Sequence, residues 1–136
     1  MSTAETTFSL MFEMGRIMRS RMEGEPVRVS MPQFETLRFI ALTQSPTMRE
    51  VARQLKVKAP SATALVSELE RAKYVRRIAD PQDRRQVRLE VTTRGREILE
   101  EGIKRRVRVF KSVLSPLSSK DRADLNRILK KIIEAA

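Results

Sequence analysis

The chain has 136 residues and a formal net charge of +11, from 28 Lys and Arg against 17 Asp and Glu. This length fits one domain with a core, or one compact module with a dimerisation layer. The charge favours nucleic acid first and an anionic membrane surface second, with a merely basic surface as the alternative. With no Cys and no His, the sequence excludes disulfides, thiol redox sensing, Cys/His zinc sites and His-dependent nucleophilic catalysis.

Other classes are disfavoured by what the sequence lacks. No apolar run approaches the ~20 residues of a membrane span, and the N-terminus carries no signal-peptide apolar region, so we expect a cytoplasmic protein. With no Trp and one Tyr, stacking platforms for single-stranded nucleic acid are poorly supplied. The charge is also uneven, since residues 1–46 are balanced whereas residues 71–88 hold seven Lys and Arg against two Asp.

The N-terminal segment predicts one amphipathic helix. Residues 1–6 are small and polar and are expected to fray. From Thr7 to Met22 the apolar positions recur in steps of three and four, and Gly24, Glu25 and Pro26 are expected to end the helix. A Met-rich stripe of this kind usually packs against a core, and lining a ligand crevice is the alternative.

Two further helices are predicted before residue 59. Ser30 as N-cap and Pro32 in the first turn open a helix that ends at Thr43-Gln44-Ser45-Pro46. Thr47 and Glu50 form a capping box that opens a short third helix. Lys56-Val57-Lys58 is the turn after it, with Val57 as its buried residue. The predicted inward residues of the two helices are Phe34, Leu37, Ile40, Ala41, Val51 and Leu55.

The fourth helix is the candidate recognition helix. It is predicted from about Ala59 to Lys73, with Pro60 in its first turn and an inner face of apolar residues. Its opposite face is short and mostly polar, which allows close approach to base edges, although plain solvent exposure explains such a face equally well. The inner face is Ala62, Leu65, Val66 and Leu69, and the opposite face is Ser61, Thr63, Ala64 and Ser67.

A two-strand ribbon is predicted next, from Val75 to Ile78 and from Val87 to Val91. The connection is polar and carries the adjacent Arg84 and Arg85 at its tip. A narrow, electronegative minor groove attracts Arg side chains. We expect Asp83 to pair with one neighbouring arginine and to hold the loop in shape. An ordinary hairpin tip with solvated charges is the alternative.

The C-terminal third predicts two amphipathic helices. Thr92 or Thr93 caps a long helix that Pro116 ends, and Ser118 with Asp121 forms a second capping box. The apolar stripe of the last helix is Leu125, Ile128, Leu129, Ile132 and Ile133. A monomer of this size offers little for three terminal helices to pack on, so they predict a two-fold dimer with interlocked termini. In such a dimer two recognition helices contact half-sites about one helical turn of DNA apart.

The chain resembles the MarR family of transcription regulators. The resemblance begins at Met31-Pro32-Gln33-Phe34, continues through residues 48–55 and Val75-Arg76-Arg77, and covers nearly the whole chain. Its most specific part is Asp83-Arg84-Arg85, followed by Leu89-Glu90-Val91-Thr92 and Gly95. This block is similar to the family's D-R-R…V-x-L-T-x-x-G signature.

The resemblance implies a mainly α fold with a small two- or three-stranded β-wing, in a homodimer that binds pseudo-palindromic double-stranded DNA, most often as a repressor. It implies one domain over residues 1–136, with residues 1–24 and 94–136 as dimerisation helices and residues 30–93 as the winged helix-turn-helix module. Many relatives release DNA when a small phenolic or anionic effector binds. The implied DNA-binding residues are Pro60, Ser61, Thr63, Ala64, Ser67, Arg84 and Arg85, with Asp83 stabilising the wing.

The sequence departs from the family pattern at two positions. Lys73 stands where the family usually has Gly, and a left-handed backbone there would cost about 1 kcal/mol, so the turn is expected to be built differently. Ala64 stands where a longer polar residue, often Arg, is common, which predicts thin direct base readout. The absence of Cys excludes the oxidation-sensing branch of the family.

These patterns predict a sequence-specific regulator that binds double-stranded DNA. A non-specific, architectural DNA-binding protein is the alternative, favoured by the net charge. An enzyme is not predicted, because the sequence offers no nucleophile–base pair, no metal constellation and, with four Gly, no glycine-rich phosphate loop. We therefore expect no catalytic residue, no metal and no cofactor.

Overall fold

The computed structural model describes residues 1–23 and 28–136. In chain order the elements are α1 (Thr3–Met22), α2 (Met31–Leu42), α3 (Met48–Leu55), α4 (Ala59–Arg71), β1 (Val75–Ala79), β2 (Val87–Val91), α5 (Thr93–Val113) and α6 (Ser119–Ala135). Within these described residues, six helices and a two-stranded antiparallel sheet confirm the predicted fold class. The expected end of α1 at Gly24, Glu25 and Pro26 lies outside the described residues.

The chain divides into two compact units. The central unit is Pro26–Lys104, and the terminal unit combines Met1–Glu25 with Arg105–Ala136. The boundary falls inside α5, whose first turns bury Gly95, Ile98 and Leu99 in the central unit.

One apolar core holds the central unit together. Leu37, Val51, Val66 and Leu89 come from three helices and a strand and are fully buried. Burying such side chains contributes about 1.5–3 kcal/mol each, so this core fixes how α2, α3, α4 and the sheet are placed. Among the described residues, the core cluster consists of Val29, Phe34, Leu37, Ile40, Val51, Ala62, Val66, Leu69, Tyr74, Val75, Leu89, Val91, Ile98 and Leu99.

The two strands form the ribbon of a wing. Val75 pairs with Val91 and Ala79 with Val87 in an antiparallel register. Thr47 adds a single bridge to Arg88, so a third strand is reduced to one residue pair. The pairing places Leu89 and Val91 in the core, whereas Val87, predicted on the same side, is more than one-third exposed.

Side-chain caps confirm the predicted helix starts. The Ser30 and Ser118 hydroxyls accept from the third residue of α2 and α6, with reciprocal contacts from Gln33 and Asp121. The Thr47 hydroxyl accepts from the Glu50 N–H at 3.2 Å. Each cap satisfies an otherwise unpaired N–H group and contributes about 1 kcal/mol to helix stability.

The expectation that residues 1–6 fray was wrong. Helix α1 begins at Thr3, with Ser2 as its N-cap. The Ser2 hydroxyl accepts from the Glu5 N–H at 3.2 Å, and the Ser2 N–H donates to the Glu5 carboxylate at 2.6 Å. This capping box starts the helix four residues before the predicted Thr7, and the S-x-x-E spacing was the signal that indicated it.

Three smaller expectations were also wrong. Ala41 was predicted on the buried face of α2 and is exposed. Val57 was predicted as the buried residue of the turn, yet it is 36% exposed and follows the left-handed Lys56. Helix α4 ends at Arg71 rather than near Lys73.

The described part of the chain contains no helix that is both long enough and apolar enough to cross a membrane.

Candidate nucleic-acid interface

Helices α3 and α4 form the helix-turn-helix. The turn between them contains Lys56, whose left-handed backbone (φ 55°) ends α3, and Lys58, the N-cap of α4. The Val57 N–H donates to the Ala52 carbonyl at 3.1 Å, which closes the turn. Val51 on α3 and Val66 on α4 are both fully buried, so the core fixes the two helices against each other.

Helix α4 is buried on one side and open on the other. Ala62, Val66 and Leu69 are at most 1% exposed, so this face lies in the core. The opposite face is open, with Pro60, Ser61, Thr63 and Ala64 exposed and Ser67 half-buried. These are the residues predicted for the recognition face. Its side chains are short, so nothing on it prevents close approach of a large, flat partner.

The tip of the wing presents two arginines in different settings. Arg85 contacts Asp83 through a 3.3 Å ion pair, although its side chain is 92% exposed. The Arg85 N–H also donates to Asp83 Oδ1 at 3.0 Å, so the carboxylate holds both backbone and side chain. Arg84 is exposed and forms no ion pair within the described residues.

Asp80 organises the wing loop, and the sequence analysis did not single it out. Its Oδ1 accepts from the Gln82 N–H at 2.8 Å and from the Asp83 N–H at 3.3 Å. Its Oδ2 accepts from Arg88 Nε at 2.9 Å. The Gln82 N–H, and then the Arg88 side chain, hold the pKa of Asp80 below the ordinary carboxyl value, although burial acts in the opposite direction.

Arg88 connects the wing to the loop before α3. Its Nη1 donates to the Ser45 carbonyl at 2.8 Å while its Nε holds Asp80. The next residue, Leu89, donates its N–H to the Pro46 carbonyl at 2.9 Å. The base of the wing is therefore attached to the start of the helix-turn-helix by side-chain and backbone bonds together.

Other ribbon arginines also have acidic partners. Arg76 pairs with Glu90 on the facing strand, and Arg77 Nε donates to Glu70 of α4 at 2.7 Å. Together with the pairs at Arg85 and Arg88, this compensates much of the positive charge counted between residues 71 and 88. The ribbon is less electropositive than its sequence indicates.

Lys73 and Gly95 lie where the wing joins α4 and α5. Lys73 has φ 64°, so the turn uses the left-handed conformation after all, and the expectation of a different turn was wrong. Its carbonyl accepts from the Thr92 hydroxyl at 2.7 Å, and that hydroxyl accepts from the Gly95 N–H at 3.0 Å. Thr92, rather than Thr93, is therefore the capping side chain. A Cβ at Gly95 would lie 2.1 Å from the Tyr74 carbonyl oxygen, so only Gly fits.

Among the described residues no group of three or more acidic, His or Cys side chains is placed to hold a metal ion.

A sequence model of the MarR family matches residues 29–86, the segment that runs from just before α2 to the wing loop. The match covers the helix-turn-helix and most of the wing, which together make up less than half of the chain. A curated relative is an uncharacterized HTH-type transcriptional regulator, YsmB of Bacillus subtilis, 24% identical over 104 residues that cover 76% of this chain and 71% of that protein. The chain is thus similar to winged-helix regulators of the MarR family.

Solved structures share the fold of this chain. A mutant of MepR from Staphylococcus aureus matches with a TM-score of 0.80 and 22% identity, covering 99% of this chain and 98% of that one. FabT of Streptococcus pneumoniae, solved in complex with DNA, matches with a TM-score of 0.74 and 23% identity, covering 96% and 92%. At this level of identity the likeness establishes the fold alone.

The predicted site residues of the MarR module lie in two groups within the central unit. One group is the open face of α4, and the other is the wing tip with Arg84, Arg85 and Asp83. Sequence reasoning missed Asp80 and Arg88. An Asx-type turn was visible in Asp80-Pro81-Gln82, because Asp side chains favour bonds to the N–H two residues on. The Arg88 contact to Ser45 was not visible, since it joins residues 43 positions apart.

Proposed function

We propose that this chain is a sequence-specific regulator that binds double-stranded DNA as a homodimer and acts as a repressor on a pseudo-palindromic operator. The observation that carries the proposal is the arrangement of the central unit. An open helix face and an arginine-tipped wing are attached to one core, and the wing is also bonded to the loop before α3. A partner with a groove wide enough for a helix and a neighbouring narrower groove fits both features.

Helix α4 supplies the major-groove element. The groove is about 12 Å wide and admits one α-helix. Ser61, Thr63 and Ser67 offer hydroxyl groups that hydrogen-bond base edges or phosphates, and Pro60 and Ala64 offer apolar contact of the kind a thymine methyl accepts. Because no long side chain stands on this face, the helix backbone can come close to the bases.

The wing supplies the minor-groove element. Arg84 is exposed and has no ion pair within the described residues, so its guanidinium is free to enter a narrow groove. Arg85 is held by Asp83, which fixes its direction at the loop tip. We assign Asp83 to shaping the wing, and Arg84 and Arg85 to DNA contact.

The terminal helices supply the dimer interface. Helices α1 and α6 contain no buried residue, and their apolar stripes are exposed in the single chain. On α1, Phe8 is 70% exposed, and on α6, Ile133 is 71% exposed. A second copy that covers both stripes removes this apolar surface from water, and a two-fold axis pairs like with like. Residues 1–24 and 94–136 are accordingly proposed as the dimerisation helices around the DNA-binding module of residues 30–93.

A solved structure with the same fold supports DNA as the partner. FabT, which shares the fold, was solved bound to DNA. A dimer that occupies an operator near a promoter excludes RNA polymerase by occupancy alone, which favours repression as the simplest outcome. A small phenolic or anionic effector stays a prediction of the family resemblance.

Selection of genomic fragments tests the proposal. The protein is mixed with sheared DNA from its own genome, and the retained fragments are sequenced. We expect a few fragments that share two inverted half-sites spaced about one helical turn apart. On a selected fragment, Arg84→Ala with Arg85→Ala should lower affinity by about 1–3 kcal/mol per lost groove contact. Unchanged gel-shift affinity in this double variant would falsify the role of the wing.

A further inference from the structure

We propose that Arg49, Arg53, Lys56 and Lys58 form a phosphate-binding row that grips the DNA backbone beside α4. This inference rests on the proposed function and assigns the main electrostatic contact to a segment outside the wing. The sequence charge count had placed the strongest charge on the ribbon, in residues 71–88.

All four side chains are exposed. Within residues 1–23 and 28–136, none of them forms an ion pair or a side-chain hydrogen bond with another protein group. Glu50 is the single acidic residue between Met48 and Ser67, and it is half-buried. The row therefore carries four uncompensated positive charges within ten residues.

The ribbon presents the opposite situation. Arg76, Arg77, Arg85 and Arg88 each pair with a carboxylate of the wing or of α4. A cation that already has a carboxylate partner gains less from a phosphate, because it must share or break that pair. A free, hydrated cation instead gains its full interaction with the phosphate. The four ribbon arginines are thus paired with carboxylates, whereas the four cations of the row are not. This is the reverse of what the charge count along the sequence indicated.

Helix geometry aligns the row. Arg49 and Arg53 are four residues apart on α3 and share one helix face, and Lys56 follows them as the C-cap of the helix. That face is separate from the one that buries Val51. Lys56 is held in a left-handed conformation, and its N–H donates to carbonyls of the last turn of α3. The backbone of α3 and of the turn therefore sets where the cations of the row lie.

Lys58 links the row to the recognition helix. It is the N-cap of α4, and its carbonyl accepts from the Ser61 N–H at 3.0 Å and the Ala62 N–H at 3.1 Å. When α4 lies in a major groove, the two phosphate strands run along the edges of that groove. The segment that leads into α4 must then cross one of these phosphate strands. The four cations of the row lie in that segment.

Binding to phosphates can be measured through the salt dependence of the affinity. Each cation that neutralises a phosphate releases a condensed counterion, so the affinity falls linearly with salt on a log–log plot. Removing one phosphate contact lowers that slope by about one and weakens binding to all sequences alike. A base-contacting residue instead changes the preference for one sequence over another.

The test is the salt dependence of binding to a genomic fragment selected by the wild-type protein, measured with Lys56→Gln plus Lys58→Gln. In a two-fold dimer this variant removes four phosphate contacts, so we expect the slope to fall by about four. The ratio of affinities for the selected and a shuffled fragment should not change. Arg49→Gln plus Arg53→Gln, which leaves the turn intact, should lower the slope in the same way.

The matched control is Lys130→Gln plus Lys131→Gln, which removes the same charge from exposed positions of α6. Its slope should equal that of the wild type. An unchanged slope in both row variants overturns the proposal, and so does an equal fall in the control, which would reflect net charge alone. If the wild type itself does not prefer the selected fragment, the proposed function fails, whereas the slopes on any duplex still test the row.

Discussion

The carboxylate of Asp80 lies 2.9 Å from Nε of Arg88, and this pair joins the wing loop to the strand that follows it. Asp80 is 7% exposed, and the same carboxylate holds the N–H groups of Gln82 and Asp83. Arg88 in turn reaches the Ser45 carbonyl. The position of the wing arginines relative to the helix-turn-helix therefore depends on this pair, which lies at the base of the wing loop.

Replacing Arg88 should weaken operator binding although Arg88 is not proposed to touch DNA. In Arg88→Ala the wing loses its bond to Ser45, and Asp80 loses its partner. We expect the operator affinity to fall roughly tenfold, comparable to one lost groove contact of about 1–3 kcal/mol. Gel-shift titration measures it. Arg76→Ala is the control, because it removes an equal charge from the exposed Arg76–Glu90 pair. Equal losses in both variants would contradict the positioning role.

The pH dependence of stability should include a contribution from Asp80. Since the folded protein holds the pKa of this carboxyl below its ordinary value, the ionised form favours folding. That stabilisation is complete above the unfolded pKa of about 3.9 and is lost as the pH falls through the folded value. In urea titrations the stability gap between wild type and Asp80→Asn should shrink from pH 7 to pH 3. A gap that stays constant would rule out this contribution.

Lys73→Gly should stabilise the protein. Lys73 holds φ 64°, a region that costs a non-Gly residue on the order of 1 kcal/mol. Gly removes that cost and keeps the carbonyl that accepts from Thr92, so the free energy of unfolding should rise by up to about 1 kcal/mol, less the added entropy of the unfolded chain. Urea denaturation measures it, with Lys73→Ala as the control that keeps the strain. A gain in the Ala variant as large as in the Gly variant would assign the effect to the lost charge.

Gly95→Ala should destabilise the protein strongly. The added methyl would lie 2.1 Å from the Tyr74 carbonyl oxygen and 2.8 Å from Val91 Cγ1. Because the nearer neighbour is backbone, α5 must shift, at a cost of about 1–3 kcal/mol or more. Gly15→Ala is the control, since its methyl would meet only the Arg19 guanidinium at 3.3 Å and Ala favours a helix. Thermal melts that show equal effects would place the need for Gly95 outside this contact.

The elements that could be predicted from sequence are those encoded within a few residues. The capping residues Ser30, Thr47 and Ser118 fixed three helix starts, because a cap and its N–H partner are three residues apart. The same rule applied to Ser2 and Glu5, where a polar N-terminus was taken as frayed. The prediction that Val57 is buried in the turn was wrong for a different reason, since an apolar residue next to a left-handed position can face solvent.

Contacts between distant residues could not be predicted. Arg88 meets Ser45, and Arg77 meets Glu70, only once the core has fixed the ribbon against the helices. Arg76 meets Glu90 only in the strand register that pairs Val75 with Val91. A charge count along the chain cannot distinguish these compensated arginines from the free cations of α3 and the turn. This is why the charge count alone placed the strongest charge on the ribbon.

A competition titration tests the central claim most directly. The wild-type protein is bound to its selected genomic fragment at ~0.15 M salt, and a shuffled duplex of equal length and composition is added as competitor. Sequence-specific recognition predicts that the selected fragment binds at least about a thousandfold more tightly than the shuffled one. Equal affinity for the two duplexes would contradict the account and would indicate a non-specific, architectural DNA-binding protein.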